Sequence, residues 1–569
     1  MIILGLPSSH HSAWGIVKDG KVLRAILESR LNRIKHYPYY TNLKENPMTL
    51  GLEYLLRGQN FSVGDIDVAT IPVLPKDSKF HHLDIVEMDS IDDVIQTNAA
   101  PWYSAILEFI KSEGFKGKIV FVNHQLSHAS YAYNLSGYKE CDVLSYDGAG
   151  CGWPPEVVVG FHVNSHRYNR LFSVRVPHSL GHVYSNTTNR IFGNRSDGCE
   201  GKVMGLAPYG VPDERLTMLK LDENSETYIS TYPSTTKIQY SGIEPHSSIF
   251  GLRQQNIPQR ENKKKWNFDD ESDMFYANLA ASAQRSVENA GMYYAKKLLD
   301  ETGSDNLCLV GGVALNSCLN GKIRRSGIYK NVFAGPACHD GGHAIGAPLY
   351  YSNLKNPKKT ERLKDDFFGY PYSDDECLSA AEEFNLTYSS FNNTESLSAD
   401  IAKSIADKKI IAIFNKGSEL GPRALGHRSI VVDPRTPEMK DTLNARVKFR
   451  EAYRPFAPFV LQDYASDYFE FKDSEFMLFV AKATEKAKKE VPAVIHVDGT
   501  ARMQSVRKNN EPFYSTLKNF YKMTGVPVLL NTSFNIAGEP IVETPQDAIR
   551  CFLGTSIDIL YLNNLKIEK

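Results

Sequence analysis

A pair of histidines and a downstream aspartate are the residues of this sequence best suited to metal chemistry. His124 and His128 are four residues apart, so on a helix both imidazoles leave the same face about one turn apart. Asp147 stands at the end of the apolar run 141–146, where a buried strand would end. Two neutral imidazoles and one or two carboxylates suit Fe(II), Zn(II) or Mn(II). The spacing therefore predicts a helix, a loop and a strand that deliver three ligands to one point.

The elements around these residues predict a fold made of two similar halves. Residues 118–122 form a short apolar strand that leads into the histidine pair, and 332–336 form another that leads to Asp340, a fourth candidate ligand. At the start of the chain, two strands meet across Asp19-Gly20, a strong hairpin signal. That beginning is typical of actin-like ATPases. Two strand-loop-Asp units, one from each half, fit a duplicated fold that closes on one nucleotide–metal site.

Glycine-rich turns follow several of the predicted strands. Gly148 comes directly after Asp147, in a turn that lets backbone N–H groups approach a phosphate. Gly311 and Gly312 follow an apolar strand and precede a helix start at Asn316. This turn is neither a Walker loop nor a dinucleotide fingerprint, but in actin-like ATPases such a turn sits against adenosine. We therefore predict that these four residues, Gly148, Gly311, Gly312 and Asn316, form nucleotide-binding turns.

The composition is that of an ordinary globular protein. The 569 residues, 42% hydrophobic and 23% charged, favour about two to four domains. A net charge of −1 gives no indication of a nucleic acid or an anionic membrane as partner. The eight cysteines form no CxxC pair, and there is no basic leader and no apolar run of the about 18 residues that a spanning helix needs. We expect a cytoplasmic protein.

A change in composition marks the predicted boundary between two domains. Residues 353–366 are rich in Lys, Asn, Pro and Glu, as linkers are, and we place the domains at 1–358 and 359–569. The informative stretches of the second domain are mostly basic, with cations in turns that contain Gly or Pro: 421–429, 448–458, 496–504 and 531–535. Arginine forks and a lysine that converge on one cleft suit a polyphosphate or carboxyphosphate substrate.

Taken together, these residues resemble the NodU/CmcH-type O-carbamoyltransferase family. The resemblance spans essentially the whole chain, and its most specific strings are Gly-Pro-Arg-Ala-Leu-Gly at 421–426 and Met-Gly-Leu-Ala-Pro-Tyr-Gly at 204–210. It implies an α/β protein with an actin-like (ASKHA, duplicated) N-terminal domain and a YrdC-like C-terminal domain. It also implies that ATP and carbamoyl phosphate form carbamoyladenylate and pyrophosphate in the second domain. The carbamoyl group then moves, in the first domain, to a hydroxyl of a small-molecule natural product or sugar, and AMP is released.

The resemblance also implies roles for individual residues. The implied metal ligands are His124, His128, Asp147 and Asp340, with Fe(II) as the family's ion and Zn(II) or Mn(II) as alternatives. The implied residues of the adenylate-forming site are Arg423, Lys448, Arg454, Arg502, Asn531 and Ser533. Lys448 and Arg454 act in that step, and Mg(II) accompanies ATP. His10 resembles the catalytic histidine near the acceptor hydroxyl, but the chain has His10-His11 where relatives read His-Asp, so His11 stays an alternative.

Two other functions stay open. A threonylcarbamoyl-type tRNA-modifying transferase shares the histidine pair and the aspartate but normally lacks the fused basic domain, and this chain shows no basic face for tRNA. A nucleotide-binding regulator would keep the fold without catalysis, although the four ligand candidates and four basic stretches favour an enzyme. The chain departs from the family pattern at His427, where Asn is common, and at His339, where Gly is usual. A homodimer is an assembly that the sequence leaves open.

Overall fold

Strands and helices alternate along the first part of the chain in the computed structural model, which describes residues 1–7, 11–35, 50–150, 154–193, 198–230, 260 and 266–569. The strands of this part are β1 Ile2–Gly5, β2 Ala13–Lys18, β3 Lys21–Leu27, β4 Val68–Ile71, β5 Ile85–Met88, β6 Lys118–Val122, β7 Glu140–Tyr146, β8 Glu156–Asn164, β9 Arg167–Arg175, β10 Leu219–Asp222, β11 Thr227–Ser230, β12 Asn306–Val310 and β13 Asn331–Ala334. The helices are α1 Glu28–Asn32, α2 Leu50–Leu56, α3 Ile91–Gln96, α4 Ser104–Ser112, α5 His124–Ser136, α6 Leu180–Phe192, α7 Glu200–Leu206, α8 Glu271–Thr302, α9 Ser317–Ser326 and α10 His343–Lys355.

Two sheets of this first part share one strand order. The first sheet runs β3-β2-β1-β4-β6-β5 and the second runs β9-β8-β7-β12-β13. In each sheet the leading strand pairs antiparallel with the next strand of the chain, which pairs antiparallel with the third. On its other side the leading strand pairs parallel with a later strand. This repeated order is that of a duplicated actin-like fold, and β5 is an addition at the edge of the first sheet.

The predicted hairpin turn at Asp19-Gly20 joins β2 to β3. The φ angles of these two residues are 50° and 77°. Positive φ at both central positions is what a tight turn between twisted antiparallel strands requires, and aspartate followed by glycine adopts it readily. The turn sets the adjacent pairs, Lys18 opposite Lys21 and Val17 opposite Val22, and an irregularity between Ile16 and Val17 shifts the register beyond them.

The second part of the chain is built on one large sheet. Its strands are β14 Tyr388–Ser390, β15 Ile411–Phe414, β16 Arg428–Val432, β17 Ala457–Leu461, β18 Val480–Lys482, β19 Thr500–Arg502, β20 Gln504–Val506, β21 Val528–Ser533, β22 Ile559–Leu562 and β23 Leu565–Glu568. Its helices are α11 Asp374–Glu383, α12 Thr394–Ala406, α13 Glu438–Leu443, α14 Ala465–Tyr468, α15 Glu485–Glu490, α16 Phe513–Thr524 and α17 Pro545–Leu553. The sheet runs β14-β23-β22-β15-β16-β21-β17-β20. The predicted fold class is confirmed, while the boundary at 358/359 stays a prediction.

A buried arginine joins the two parts. Arg30, on α1, is only 2% exposed, and its guanidinium donates a hydrogen bond to the carbonyl oxygen of Gly421 at 3.0 Å. Its Nη1 lies 4.0 Å from Glu419 and 3.9 Å from Glu543, both fully buried carboxylates of the second part. A buried charge without a partner is strongly destabilising, so this arginine and its carboxylates must be matched across the interface.

Helix α10 packs against three backbones at very short range. A Cβ on Gly346 would overlap the carbonyl oxygen of Ser127 on α5. A Cβ on Gly5 or on Gly15 would overlap the carbonyl oxygen of Ala344, so β1 and β2 approach α10 equally closely. Glycine at these positions therefore sets where α10 lies, because any side chain would separate the elements.

Among the described residues, none of the helices combines the length and the apolar character that crossing a membrane would need.

We predict that Gly346→Ala lowers the free energy of unfolding by about 1–3 kcal/mol, because the new methyl group must push α10 away from the α5 backbone. Thermal and denaturant unfolding measure this loss. Gly201→Ala is the matched control, since this glycine lies on α7 and a Cβ there meets nothing within 4 Å. The control should melt at or above the wild-type temperature, because alanine favours a helix. Equal stability of Gly346→Ala and the wild type would contradict the packing described above.

Candidate active site

The histidine pair lies at the start of α5, directly after β6. Asn123 caps the helix, because its side-chain oxygen accepts a hydrogen bond from the N–H of Leu126 at 3.1 Å. His124 and His128 follow, one turn apart, with ring centroids separated by 4.9 Å and both side chains buried. The helix and the shared face that the spacing predicts are both present.

Asp147 lies at the end of β7 and faces both imidazoles. Its Oδ2 is 2.9 Å from Nε2 of His124 and 3.3 Å from Nε2 of His128. Its Oδ1 accepts hydrogen bonds from the backbone N–H groups of Gly148 at 2.7 Å and Gly312 at 3.1 Å. These two amides orient the carboxylate, so that the other oxygen stays directed at the histidines.

The first position of the Gly311-Gly312 turn can be occupied only by glycine. Gly311 has a φ of 92°, and a Cβ there would overlap the carbonyl oxygen of Tyr146. The turn thereby brings the Gly312 amide to Asp147. In the structure the amides of Gly148 and Gly312 thus bind a carboxylate of the protein, and their predicted role in nucleotide binding stays a prediction.

Asp340 follows β13, and its position corrects one prediction. We expected Asp147 and Asp340 to come from opposite halves of the duplicated fold. Instead, β7, β12 and β13 are parallel neighbours in the second sheet, and the carboxyl ends of parallel strands meet at one edge. Both aspartates therefore lie at the same edge. Oδ1 of Asp340 is 3.4 Å from Nε2 of His128 and 3.9 Å from Nε2 of His124.

Burial and charge together set the protonation states of this group. Burial by itself lowers the pKa of His128, but the bonds and charges of Asp147 and Asp340 outweigh it and raise the pKa to about 9. Burial and the charge of Asp340 would raise the pKa of Asp147, yet the two histidines hold it far below its usual range. Burial would also raise the pKa of Asp340. Other effects, of which the hydrogen bond with His128 is the largest, outweigh burial and lower this pKa strongly. Without a metal ion, a protonated His128 therefore offsets part of the charge of two carboxylates.

A third histidine joins this cluster, and sequence reasoning did not identify it as a ligand. His343 is the first residue of α10, and its ring centroid lies 4.3 Å from that of His124 and 4.0 Å from that of His128. Burial holds its pKa well below the usual range, so the imidazole is neutral. The sequence did contain one indication of this role, because His343 stands three residues after Asp340, a separation close to one helical turn.

The donor set fits a divalent first-row metal ion. Imidazole nitrogens suit zinc and iron, and carboxylate oxygens suit manganese and iron, whereas magnesium prefers oxygen ligands alone. Two carboxylates balance the charge of such an ion, and every one of these side chains is buried. The four predicted residues, His124, His128, Asp147 and Asp340, are therefore able to hold the predicted metal.

The predicted acceptor base falls partly outside the described residues. His10 lies outside them, so the structure does not place it. His11 is described, and its ring packs edge-on against that of His339 with centroids 4.6 Å apart. His339 is buried and directly precedes Asp340. The choice between His10 and His11 stays open.

Lys448 is the centre of a second cluster, in the second part of the chain. Its buried Nζ donates hydrogen bonds to the backbone oxygens of Ser533 at 2.8 Å and Asn535 at 2.9 Å, and to Oδ1 of Asn535 at 2.8 Å. The Ser533 hydroxyl lies 3.4 Å from the same nitrogen. Burial, followed by the charge of Arg450, holds the pKa of Lys448 well below its usual range. The end of β21 thus fixes the lysine in place.

Arginines lie within electrostatic range of Lys448 and of one another. Burial, aided by the charge of Arg454, lowers the pKa of Arg423 to about 10. Burial and the charges of Arg423 and Arg450 hold the pKa of Arg502 well below its usual range. The Nε atoms of Arg423 and Arg502 are buried and make no hydrogen bond to any described residue. Half-buried guanidinium groups that repel one another and keep unused donors are arranged as a polyanion would require.

The first part of the chain adds two lysines to this cluster. Nζ of Lys202 lies 2.8 Å from Glu451, which also pairs with Arg454 at 3.5 Å. The side chain of Lys35 is partly exposed, yet desolvation and the nearby charges of Arg454 and Lys202 lower its pKa. Sequence reasoning did not include Lys35, Lys202 or Arg450 among the site residues. The proximity of the two lysines depends on how the two parts dock. Arg450 stands two residues after Lys448, within the basic stretch 448–458.

One loop lies between the two clusters. The Cys338 carbonyl oxygen accepts a hydrogen bond from the Gly311 N–H at 2.8 Å, beside Asp147. Burial raises the pKa of the Cys338 thiol to about 12, with Arg423 opposing this shift and Asp147 adding to it. Cys338 is therefore within electrostatic range of a cation of the second cluster and of a carboxylate of the first. The two clusters are neighbours across the docked parts.

Three of the polar residues named in the sequence analysis make contacts that support the fold. The Asn531 side chain donates to the Ala424 carbonyl oxygen at 2.8 Å and so holds the 421–429 turn. Asn316 caps α9 and bonds to the side chain of Gln284. His427 is buried, with Nδ1 2.8 Å from the Gly417 carbonyl oxygen, and burial lowers its pKa to about 4.

Comparison with known proteins identifies the family. The carbamoyltransferase N-terminus model matches residues 2–349 and the carbamoyltransferase C-terminus model matches residues 402–569. The chain belongs to the carbamoyltransferase family. It is 33% identical to nodulation protein NolNO of Sinorhizobium fredii, over all of this chain and 80% of that protein. It is 37% identical to nodulation protein NolO of Bradyrhizobium diazoefficiens, over 79% of each chain. Identity to nodulation protein U of Sinorhizobium fredii is 26%, over 97% of each. The predicted NodU/CmcH-type membership and the prediction of an enzyme are thereby confirmed.

We predict that metal binding by this carbamoyltransferase releases a proton and strengthens as the pH rises toward about 9. His128 is protonated below its pKa of about 9 in the metal-free protein, and a ligand imidazole must be neutral. Calorimetric titration of the stripped protein with Zn(II), in two buffers of different ionisation enthalpy, counts the protons released. Affinity should rise by up to about tenfold per pH unit below that pKa. A pH-independent affinity between pH 6.5 and 8.5, without proton release, would contradict this protonation state.

Proposed function

We propose that this carbamoyltransferase forms carbamoyladenylate from ATP and carbamoyl phosphate and transfers the carbamoyl group to a hydroxyl of a sugar or another small molecule. The observation that supports it most is the grouping of Lys448 with arginines whose charges act on one another, together with the unused Nε donors of Arg423 and Arg502. Both substrates are polyanions, and fixed cations offset their repulsion. The predicted assignments of Arg423, Lys448, Arg454, Arg502 and Ser533 to this step are part of the proposal.

The first step requires a water molecule for atom balance. Water releases inorganic phosphate from carbamoyl phosphate and leaves carbamate. A carbamate oxygen then attacks the α-phosphorus of ATP, and the bond to the β-phosphate oxygen breaks, so that pyrophosphate leaves with Mg(II). Lys448 and the arginines hold the phosphates in line and stabilise the charge that develops on the leaving oxygen. Lys448 suits this role because its position is already fixed by Ser533 and Asn535.

The second step joins the hydroxyl oxygen of the acceptor to the carbamoyl carbon. The bond from that carbon to the AMP oxygen breaks, AMP leaves, and the hydroxyl proton passes to the imidazole of His10 or His11, which acts as general base. His124, His128, Asp147 and Asp340 would hold an Fe(II) ion, which supplies Lewis acidity and a positive charge for the AMP phosphate. The proximity of the two clusters around Cys338 supports a short, enclosed path for an intermediate that water would hydrolyse.

We predict that the purified protein releases pyrophosphate from ATP only when carbamoyl phosphate is present. Lys448→Ala should lower this rate by about 100-fold or more, because the alanine leaves the phosphates without their central cation. Pyrophosphate release from labelled ATP measures both effects. Lys482→Ala, which removes an exposed lysine of the same part, is the matched control and should keep the wild-type rate. If the rate of pyrophosphate release does not depend on carbamoyl phosphate, the proposed first step is wrong.

We predict that His10→Ala keeps pyrophosphate release but slows acceptor-dependent AMP release by about 100-fold or more, because the general base is lost. The assay compares AMP release with and without members of a panel of hydroxylated sugars and other small molecules. His11→Ala is the matched variant. A selective loss in His11→Ala would move the base to His11, and full transfer by both variants would refute a histidine base in this pair.

A further inference from the structure

We propose that His343 is a ligand of the metal ion, so that this chain binds its metal with three imidazoles instead of two. The inference deepens the proposed function, because it rests on the metal site formed by His124, His128, Asp147 and Asp340. The structure supports it through the position of the residue, the spacing of the ligand atoms and the balance of charge.

The position of His343 follows from backbone packing. It begins α10, immediately after the turn Asp340–Gly342. The close contact between Gly346 and the Ser127 carbonyl oxygen brings the first turn of α10 against the turn of α5 that carries the histidine pair. The ring of His343 consequently lies against both His124 and His128, at centroid distances of 4.3 Å and 4.0 Å.

The spacing of the ligand atoms matches a single ion. His124, His128, Asp340 and His343 each offer one ligand atom, and all four atoms lie within 4.8 Å of one another. Two ligands on opposite sides of an ion, each at about 2.1 Å, are about 4.2 Å apart, so only small movements close the shell. Asp147 stands beside this group and contacts two of its histidines.

The charge balance allows a third imidazole. A divalent ion with two carboxylates is already neutral, and a neutral histidine adds a donor without adding charge. All of these side chains are buried, and His343 is 1% exposed. Imidazole donors favour Zn(II), Co(II) and Fe(II) over Mn(II), which prefers oxygen. His343 should therefore tune the site toward the first three ions.

The test is metal binding by the full-length, metal-stripped protein, measured with Co(II) and Mn(II). We expect wild type to bind one Co(II) with a visible d–d spectrum. His343→Ala should bind Co(II) at least about tenfold more weakly and with a shifted spectrum, whereas its Mn(II) affinity should fall less. His427→Ala removes another buried imidazole, from the second part, and is the control, with unchanged Co(II) affinity and spectrum.

The outcomes separate this inference from the proposed function. Wild-type Co(II) affinity and an unchanged spectrum in folded His343→Ala would refute the ligand role and leave the metal site standing. Absence of stoichiometric Co(II) in the wild type would refute the metal site itself. X-ray absorption of the Zn(II)-loaded wild type counts imidazoles without any substitution, so the inference stays testable if His343→Ala fails to fold. Three imidazoles support it, and two refute it.

Discussion

The close packing of α10 against α5, β1 and β2 is the constraint on which the metal cluster depends. Glycines at 5, 15 and 346 let these backbones touch, and no side chain could be accommodated there. The first sheet supplies none of the described metal-site side chains, yet its strands β1 and β2 hold the helix that follows Asp340. The histidines on α5 and the residues at the start of α10 meet only because this contact is so short. The two histidines follow β6 of the first sheet and the two aspartates follow strands of the second sheet, so both halves of the duplicated fold contribute to the site.

The two clusters have opposite electrostatic characters and lie close together. At the first, two carboxylates hold a proton on His128, and a cation would relieve their charge. At the second, burial and the like charges of neighbouring cations lower the pKa of Lys448 and of Arg502, and an anion would relieve this repulsion. Cys338 lies within electrostatic range of Arg423 of one cluster and Asp147 of the other. An intermediate with a phosphate group would leave one site of positive charge and meet another once a metal ion is bound.

Local patterns in the sequence were sufficient for much of the fold and for part of the site. The four-residue spacing of His124 and His128 fixes their shared face, and Asp19-Gly20 determines its own turn. The prediction that Asp147 and Asp340 come from different halves was wrong, because membership of a sheet depends on pairing between distant strands. His343 was missed because its position against the histidine pair depends on the packing of α10 on α5.

Docking of the two parts set a second limit on what the sequence could predict. Lys35 and Lys202 join the cationic cluster only when the first part lies against the second, which no local spacing encodes.

Arg30 also limits which first and second parts can be combined in one chain. Its buried charge belongs to the first part and its carboxylates, Glu419 and Glu543, to the second. A chimera that joins this first part to the second part of a relative inherits an unmatched buried charge, unless both carboxylates are present there. The parts of this enzyme can therefore be exchanged only as a matched pair.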